Sequence, residues 1–209
     1  MSTKQTSAAA KLLEDKARQE LHGEFGAVHS AAVIDRMFDE SLAAFSAAGV
    51  PDYVPTLAQR QCRDRLRALG LVEGTIAHTV PEVVCVGLEG RGRSLMTAAL
   101  IDLRSDGRAH AVPVGTDATI ELDPNVIAAM AEVGIDLTES YARPVSAEVL
   151  NAADVVITLG RSVGAIEIPE TARHEDWRIG DPVGAPLNEV RRIRRELEAR
   201  VDELLATLT

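Results

Sequence analysis

Residues 81–100 read Pro-Glu-Val-Val-Cys-Val-Gly-Leu-Glu-Gly-Arg-Gly-Arg-Ser-Leu-Met-Thr-Ala-Ala-Leu. The stretch holds a short continuous apolar run, a glycine- and arginine-rich turn, and the start of a helical pattern from about Ser94. Apolar runs without polar alternation are what strands become when both faces of a parallel sheet are covered. Val83 to Val86 is therefore read as a buried strand, and the same pattern returns at Val155-Val156-Ile157-Thr158-Leu159. Between them lie a helix from Ser94 to about Arg104, a short strand over 109–114, a helix over 124–133 ending at Gly134, and a short helix near 146–152. A long amphipathic helix from about Leu187 to Leu208 closes the chain. Strands alternating with helices predict an α/β domain over 81–209, with a central parallel sheet of about four strands and helices on both faces.

Upstream, apolar positions recur at helical spacing in three segments. Ser7 can cap a helix carrying Leu12, Leu13, Ala17 and Leu21, with Met1 to Thr6 fraying ahead of it. A second helix from Ser30 carries Val33, Ile34, Met37, Phe38, Leu42 and Phe45 and stops at Gly49, before Val50-Pro51. A third runs from about Thr56 to Leu69. Three amphipathic helices with short connections predict a small antiparallel unit over 1–75, and the aperiodic stretch from Leu71 to Val80 holds the boundary.

Composition narrows function. The 209 residues are 46% hydrophobic and 26% charged, which suits a chain that buries a core. Net charge is −10, about −1 in residues 1–75 and −9 beyond, and one Trp, two Tyr and three Phe leave few rings for stacking on bases. Extended nucleic-acid binding is disfavoured. Arg60, Arg63, Arg65 and Arg67 lie close together on the third helix. They are read as a solvated basic face or one that docks on acidic surface, since duplex recognition needs more positive charge. No run of about 18 apolar residues and no signal-like stretch is present, so neither membrane insertion nor export is expected, and a reducing cytoplasm is. The histidines at 22, 29, 78, 110 and 174 and the two cysteines, Cys62 and Cys85, have no metal-ligand spacing; neither a metal nor another cofactor is expected.

The turn Gly87-Leu88-Glu89-Gly90-Arg91-Gly92-Arg93-Ser94 carries the chemistry. In open α/β sheets ligands sit beyond the carboxyl ends of the strands. Glycines there let amides converge, a helix start adds a positive dipole end, and Arg93 offers two donors to one oxyanion. A structural turn is the plainer alternative.

The stretch from Pro81 to Leu100 resembles the opening of low-molecular-weight protein tyrosine phosphatases and related arsenate reductases. The likeness continues through Val114-Gly115-Thr116, Ala129 to Leu137, Ala153 to Gly160 and Asp176-Trp177-Arg178-Ile179-Gly180-Asp181-Pro182. Residues 10–70 resemble the three-helix extension of some actinobacterial members. The resemblance implies a Cys-x5-Arg-Ser/Thr loop whose cysteine attacks phosphorus or arsenic, with an aspartate as general acid. An ungapped alignment keeps Arg93 for the oxyanion, Ser94 at the position that assists a thiolate and Asp181 at the general-acid position, but puts Gly87 where the nucleophile belongs and Gly90 where an asparagine braces the loop. The second alignment takes Cys85-Val-Gly-Leu-Glu-Gly-Arg91 as the motif, with two extra residues before Ser94 and Gly92 in place of Ser/Thr.

Under the first alignment, the leading reading, the chain binds phosphate, arsenate, sulfate or a phosphorylated partner through residues 87–94 and has no covalent thiol catalysis. The alternative is an active phosphatase or thiol-dependent arsenate reductase with Cys85 as nucleophile and Asp181 as acid. In a third scheme water attacks a ligand held at Arg93. After Gly160 the sequence is Arg161-Ser-Val-Gly-Ala165, without relay cysteines, and Cys62 sits among Leu57, Leu66 and Leu69 as a core residue. Tyr141 and Trp177 are candidate pocket-edge aromatics, with packing under a loop as the plainer reading. The N-terminal helices could carry a protein partner or a homodimer contact.

Overall fold

The computed structural model describes residues 3–46, 54–87, 92–115, 122–138, 140–160 and 166–208. The predicted stop at Gly49 and the positions 88–91, Thr116 and 161–165 lie outside them. Contacts divide the chain into two units, Met1–Ala77 and His78–Thr209.

The first unit consists of α1 (Thr3–Phe25), α2 (Ala31–Ser46) and α3 (Val54–Glu73). Leu21, Phe25, Ile34, Met37, Phe38, Phe45, Ala58, Cys62 and Leu66 are buried at three- and four-residue intervals, as helices with one apolar stripe require. α1 begins ahead of Ser7, and α3 runs four residues past Leu69 to a left-handed Gly74. Charge on α3 is met within the unit. Arg63 pairs with Glu24 of α1 at 2.7 Å, and the nearly buried Arg65 pairs with Glu40 of α2 at 2.6 Å while donating to the Met37 carbonyl at 3.3 Å. Burial of Cys62 pushes its thiol up to about 12, so it stays protonated at neutral pH.

The second unit is an α/β domain: β1 (Glu82–Gly87), α4 (Arg93–Ser105), β2 (His110–Gly115), α5 (Pro124–Ala131), β3 (Arg143–Pro144), α6 (Ala147–Asn151), β4 (Val155–Leu159), β5 (Arg173–Trp177) and α7 (Leu187–Leu205). The five strands are all parallel, in the order β3-β2-β1-β4-β5. Five strands, not about four, follow from two edges that composition disguises. β3 is two residues long, and β5 is Arg-His-Glu-Asp-Trp, polar because an edge strand meets solvent; only Trp177 is buried.

Val83, Cys85, Val155, Ile157, Leu159 and Trp177 share one face of the sheet and form a core with Met96, Leu100 and Ile101 of α4, Met130 of α5 and Val190, Ile193, Leu197 and Val201 of α7. Val84, Val86, Val112, Val114 and Val156, on the opposite face, are buried too. That double burial explains the continuous apolar runs. On α7, Arg192 pairs with Glu189 and Glu196 along the helix, while Arg191 reaches Glu132 beyond α5. No helix among the described residues is long and apolar enough to cross a membrane.

The order places β1 at the centre, with the chain winding to one side through β2 and β3 and to the other through β4 and β5. This is the switch point where the carboxyl ends of neighbouring strands open a crevice. Gly87, Gly115 and Leu159 stand side by side in register at that end.

Candidate functional site

The crevice is built from the end of β1, the start of α4, the end of β4 and the segment after β5. Gly87 ends β1 and Gly92 precedes α4; Leu88, Glu89, Gly90 and Arg91 fall outside the described residues. Among the described residues no side chain caps α4 at Gly92. The first amides of a helix have no intrahelical acceptor, so this end offers donors and the positive end of a dipole.

Gly92 has an extended φ of −176°, which any residue adopts, yet a Cβ there would meet Cγ of Pro182 at 2.7 Å. Proximity, not backbone conformation, demands glycine. The 181–185 segment that approaches it is pinned in turn to the start of α5: the Gly184 amide donates to Asp123 at 2.8 Å and Asn125 donates to the Ala185 carbonyl at 3.0 Å.

Arg93 is held on three sides. Its guanidinium donates to the Ile179 carbonyl at 3.3 Å and to Oδ2 of Asp181 at 3.2 Å, and its side chain is 15% exposed. It also lies across Gly160, where a Cβ would come 2.5 Å from Nη1. Gly160 has φ of +99°, a backbone conformation that calls for glycine, and a side chain there would also push the Arg93 guanidinium aside. Changing Gly160 to Ala is expected to cost about 1–3 kcal/mol of stability through strain and displacement of Arg93. Denaturant midpoints of the two proteins check this.

Gly87 is a different case. Its φ is not positive, so the conformation does not call for glycine. A Cβ there would lie 3.0 Å from Oγ of Ser94 and 3.2 Å from its Cβ. The Ser94 hydroxyl is thus aimed at the place a side chain at 87 would fill. Ser94 is 1% exposed, and its Oγ has no hydrogen-bond partner among the described residues. A buried hydroxyl left without a partner costs about 1–3 kcal/mol, so a hydrogen bond to this atom would be favourable.

Cys85 lies two residues earlier, fully buried between Pro113 and Ile157 on neighbouring strands, within the core that faces α4 and α7. Burial, reinforced by the negative charge of Asp102, pushes its thiol far up. Asp181 is more than half exposed; Oδ2 faces Arg93 and Oδ1 accepts from the Val183 amide at 3.1 Å. Trp177 is buried in the core, with its indole N–H donating to Glu175 at 2.7 Å, and the buried Tyr141 lies under the Arg143 guanidinium at 5.6 Å. Both pack as the plainer reading has it. Among the described residues no three His, Cys, Asp or Glu side chains group as metal ligands.

Arg93 with Asp181, and Gly87 with Ser94, therefore lie together at the carboxyl end of β1. The sequence reading missed Gly160, the Ile179 carbonyl and Pro182, which meet the loop only through the fold. A glycine directly after a continuous apolar strand was the available signal for the first.

Residues 82–209 match the family model described as low molecular weight phosphotyrosine protein phosphatase. The chain belongs to that family. A Halobacterium salinarum protein named as an arsenate reductase is 33% identical over 126 residues, covering 58% of this chain and 87% of its own length. Among solved structures, the thioredoxin-dependent arsenate reductase of Corynebacterium glutamicum superposes with a TM-score of 0.82 at 26% identity, over 93% of this chain and 96% of its own. The likeness to that protein thus extends into the helical first unit. An arsenate reductase in its phosphate binding state matches 62% of this chain and all of its own, with a TM-score of 0.55 and 27% identity.

Proposed function

We propose that this chain binds a tetrahedral oxyanion, phosphate, arsenate or a phosphorylated ligand, at the crevice between β1 and β4 and performs no thiol chemistry there. The observation that carries the reading is the buried Ser94 hydroxyl, without a hydrogen-bond partner among the described residues, facing the bare Cα of Gly87. In the family a thiol is implied at that position. Here its surroundings persist without it: a fixed guanidinium at Arg93, an uncapped helix start and a buried hydroxyl. Each suits a negative charge. A glycine cannot attack phosphorus, so the covalent route is closed at residue 87.

Calorimetric titration with inorganic phosphate and with arsenate tests the reading, combined with an assay of p-nitrophenyl phosphate hydrolysis. Saturable binding with no hydrolysis is expected. Absence of binding, or a phospho- or arseno-adduct on Cys85 by intact mass, would contradict it.

The names of the relatives favour a second reading, a reductase or phosphatase in which Cys85 is the nucleophile and Asp181 the general acid. Against it stand the burial of that sulfur in the core and a thiol pushed away from the reactive thiolate. Cys85→Ser separates the two. We expect anion affinity to be unchanged and stability to fall by about 1–3 kcal/mol, the cost of burying a hydroxyl in an apolar site. Loss of turnover in this variant would instead establish the enzyme.

A further inference from the structure

Asp181 stands beside the arginine of the proposed anion site, and each of the two groups has a second anchor. Oδ1 of Asp181 is tied to the Val183 amide at 3.1 Å, and the turn that follows is fastened to Asp123 and Asn125. Arg93 is trapped between Gly160, the Ile179 carbonyl and Oδ2 of Asp181, which stands 3.2 Å from Nη2. A ligand that accepts from this guanidinium must then settle beside a carboxylate. Two negative oxygens brought into contact repel unless a proton lies between them.

At neutral pH phosphate and arsenate carry at least one proton; sulfate carries none. A hydrogen oxyanion can donate its O–H to the carboxylate while its other oxygens accept from Arg93 and Ser94. Sulfate cannot, and must either suffer the repulsion or break the ion pair. Resting on the oxyanion reading above, we infer that Asp181 is a specificity-determining residue that admits protonated tetrahedral oxyanions, hydrogen phosphate and hydrogen arsenate, and rejects sulfate. The discrimination comes from an unfavourable contact built against the wrong ligand.

The test is calorimetric titration of the wild-type chain and of Asp181→Asn with sodium phosphate and sodium sulfate at neutral pH and matched ionic strength. Asparagine keeps the Oδ1 acceptor for the Val183 amide and removes the charge. The wild-type protein is expected to bind phosphate at least about tenfold more tightly than sulfate, and the variant to narrow that ratio to within about threefold by gaining sulfate affinity. Equal binding of the two anions by the wild type, or an unchanged ratio in the variant, overturns the inference while leaving the oxyanion reading in place. Failure of the wild type to bind either anion overturns both.

Discussion

A Gly87→Cys variant is expected to hydrolyse p-nitrophenyl phosphate at least about 100-fold faster than the wild-type chain, with a burst of nitrophenolate. The backbone at 87 is outside the left-handed region and accepts an L side chain. The tight contacts are with Ser94, its hydroxyl 3.0 Å and its Cβ 3.2 Å from the new Cβ; a rotation of the hydroxyl relieves the first and a shift of a few tenths of an ångström the second. The new sulfur would lie at the carboxyl end of β1 beside the start of α4 and an arginine, which together lower a thiol pKa. The buried Cys85 meets the opposite conditions. In the variant the thiolate attacks phosphorus, nitrophenolate leaves and water then cleaves the phosphocysteine. Stopped-flow kinetics and the mass of the trapped intermediate check it. A folded variant with an unreactive residue 87 thiol would mean that the ungapped alignment misplaces the loop.

The second large effect is expected from Arg93→Ala. Hydrogen bonds to charged groups contribute about 1.5–3 kcal/mol each, so loss of a guanidinium that grips an oxyanion should weaken phosphate binding about 10- to 150-fold. Two further consequences follow from its surroundings. Asp181 loses its counter-charge, so a bound anion then faces a carboxylate that no cation offsets, which adds to the loss even where a proton bridges the two. Arg93→Lys is expected to recover little, because a lysine cannot donate to the Ile179 carbonyl and an oxyanion in the same fork geometry. Isothermal titration of the three proteins with phosphate, alongside thermal unfolding to establish that each is folded, gives the comparison.

These effects rest on residues that were unequally visible in the sequence. Val83 to Val86 and Val155 to Leu159 announced themselves because both faces of the inner strands are covered, leaving no polar alternation to confuse with a loop. The three N-terminal helices were legible for a related reason: each buries one stripe, at the spacing the helix dictates. β5 was not legible as a strand, since Arg173, His174 and Asp176 face solvent along an edge, Glu175 is half-buried and only Trp177 enters the core. The extra turn of α3 was hidden because the glycine at 70 reads as a stop, while the left-handed turn lies at Gly74.

The site divides the same way. Gly92-Arg93-Ser94 stood out by spacing after a strand, and Asp181 by the residues around it. What holds Arg93 could not be read locally: Gly160 is 67 positions further on, and the Ile179 carbonyl is a backbone atom that any residue there would present. The choice between Gly87 and Cys85 was also beyond local pattern, since both alignments are chemically coherent. The two positions are two residues apart and share a face of β1, so what separates them is depth along the strand: Cys85 lies within the core and Gly87 at the strand end beside Ser94.

A crystal structure of the wild-type chain grown with millimolar phosphate examines the whole account at once. It should show tetrahedral density at the mouth of the crevice, with oxygens within hydrogen-bond distance of the Arg93 guanidinium and Oγ of Ser94 and no sulfur beneath the phosphorus. An ion bound elsewhere on the surface, or density resting on Sγ of Cys85, would contradict it.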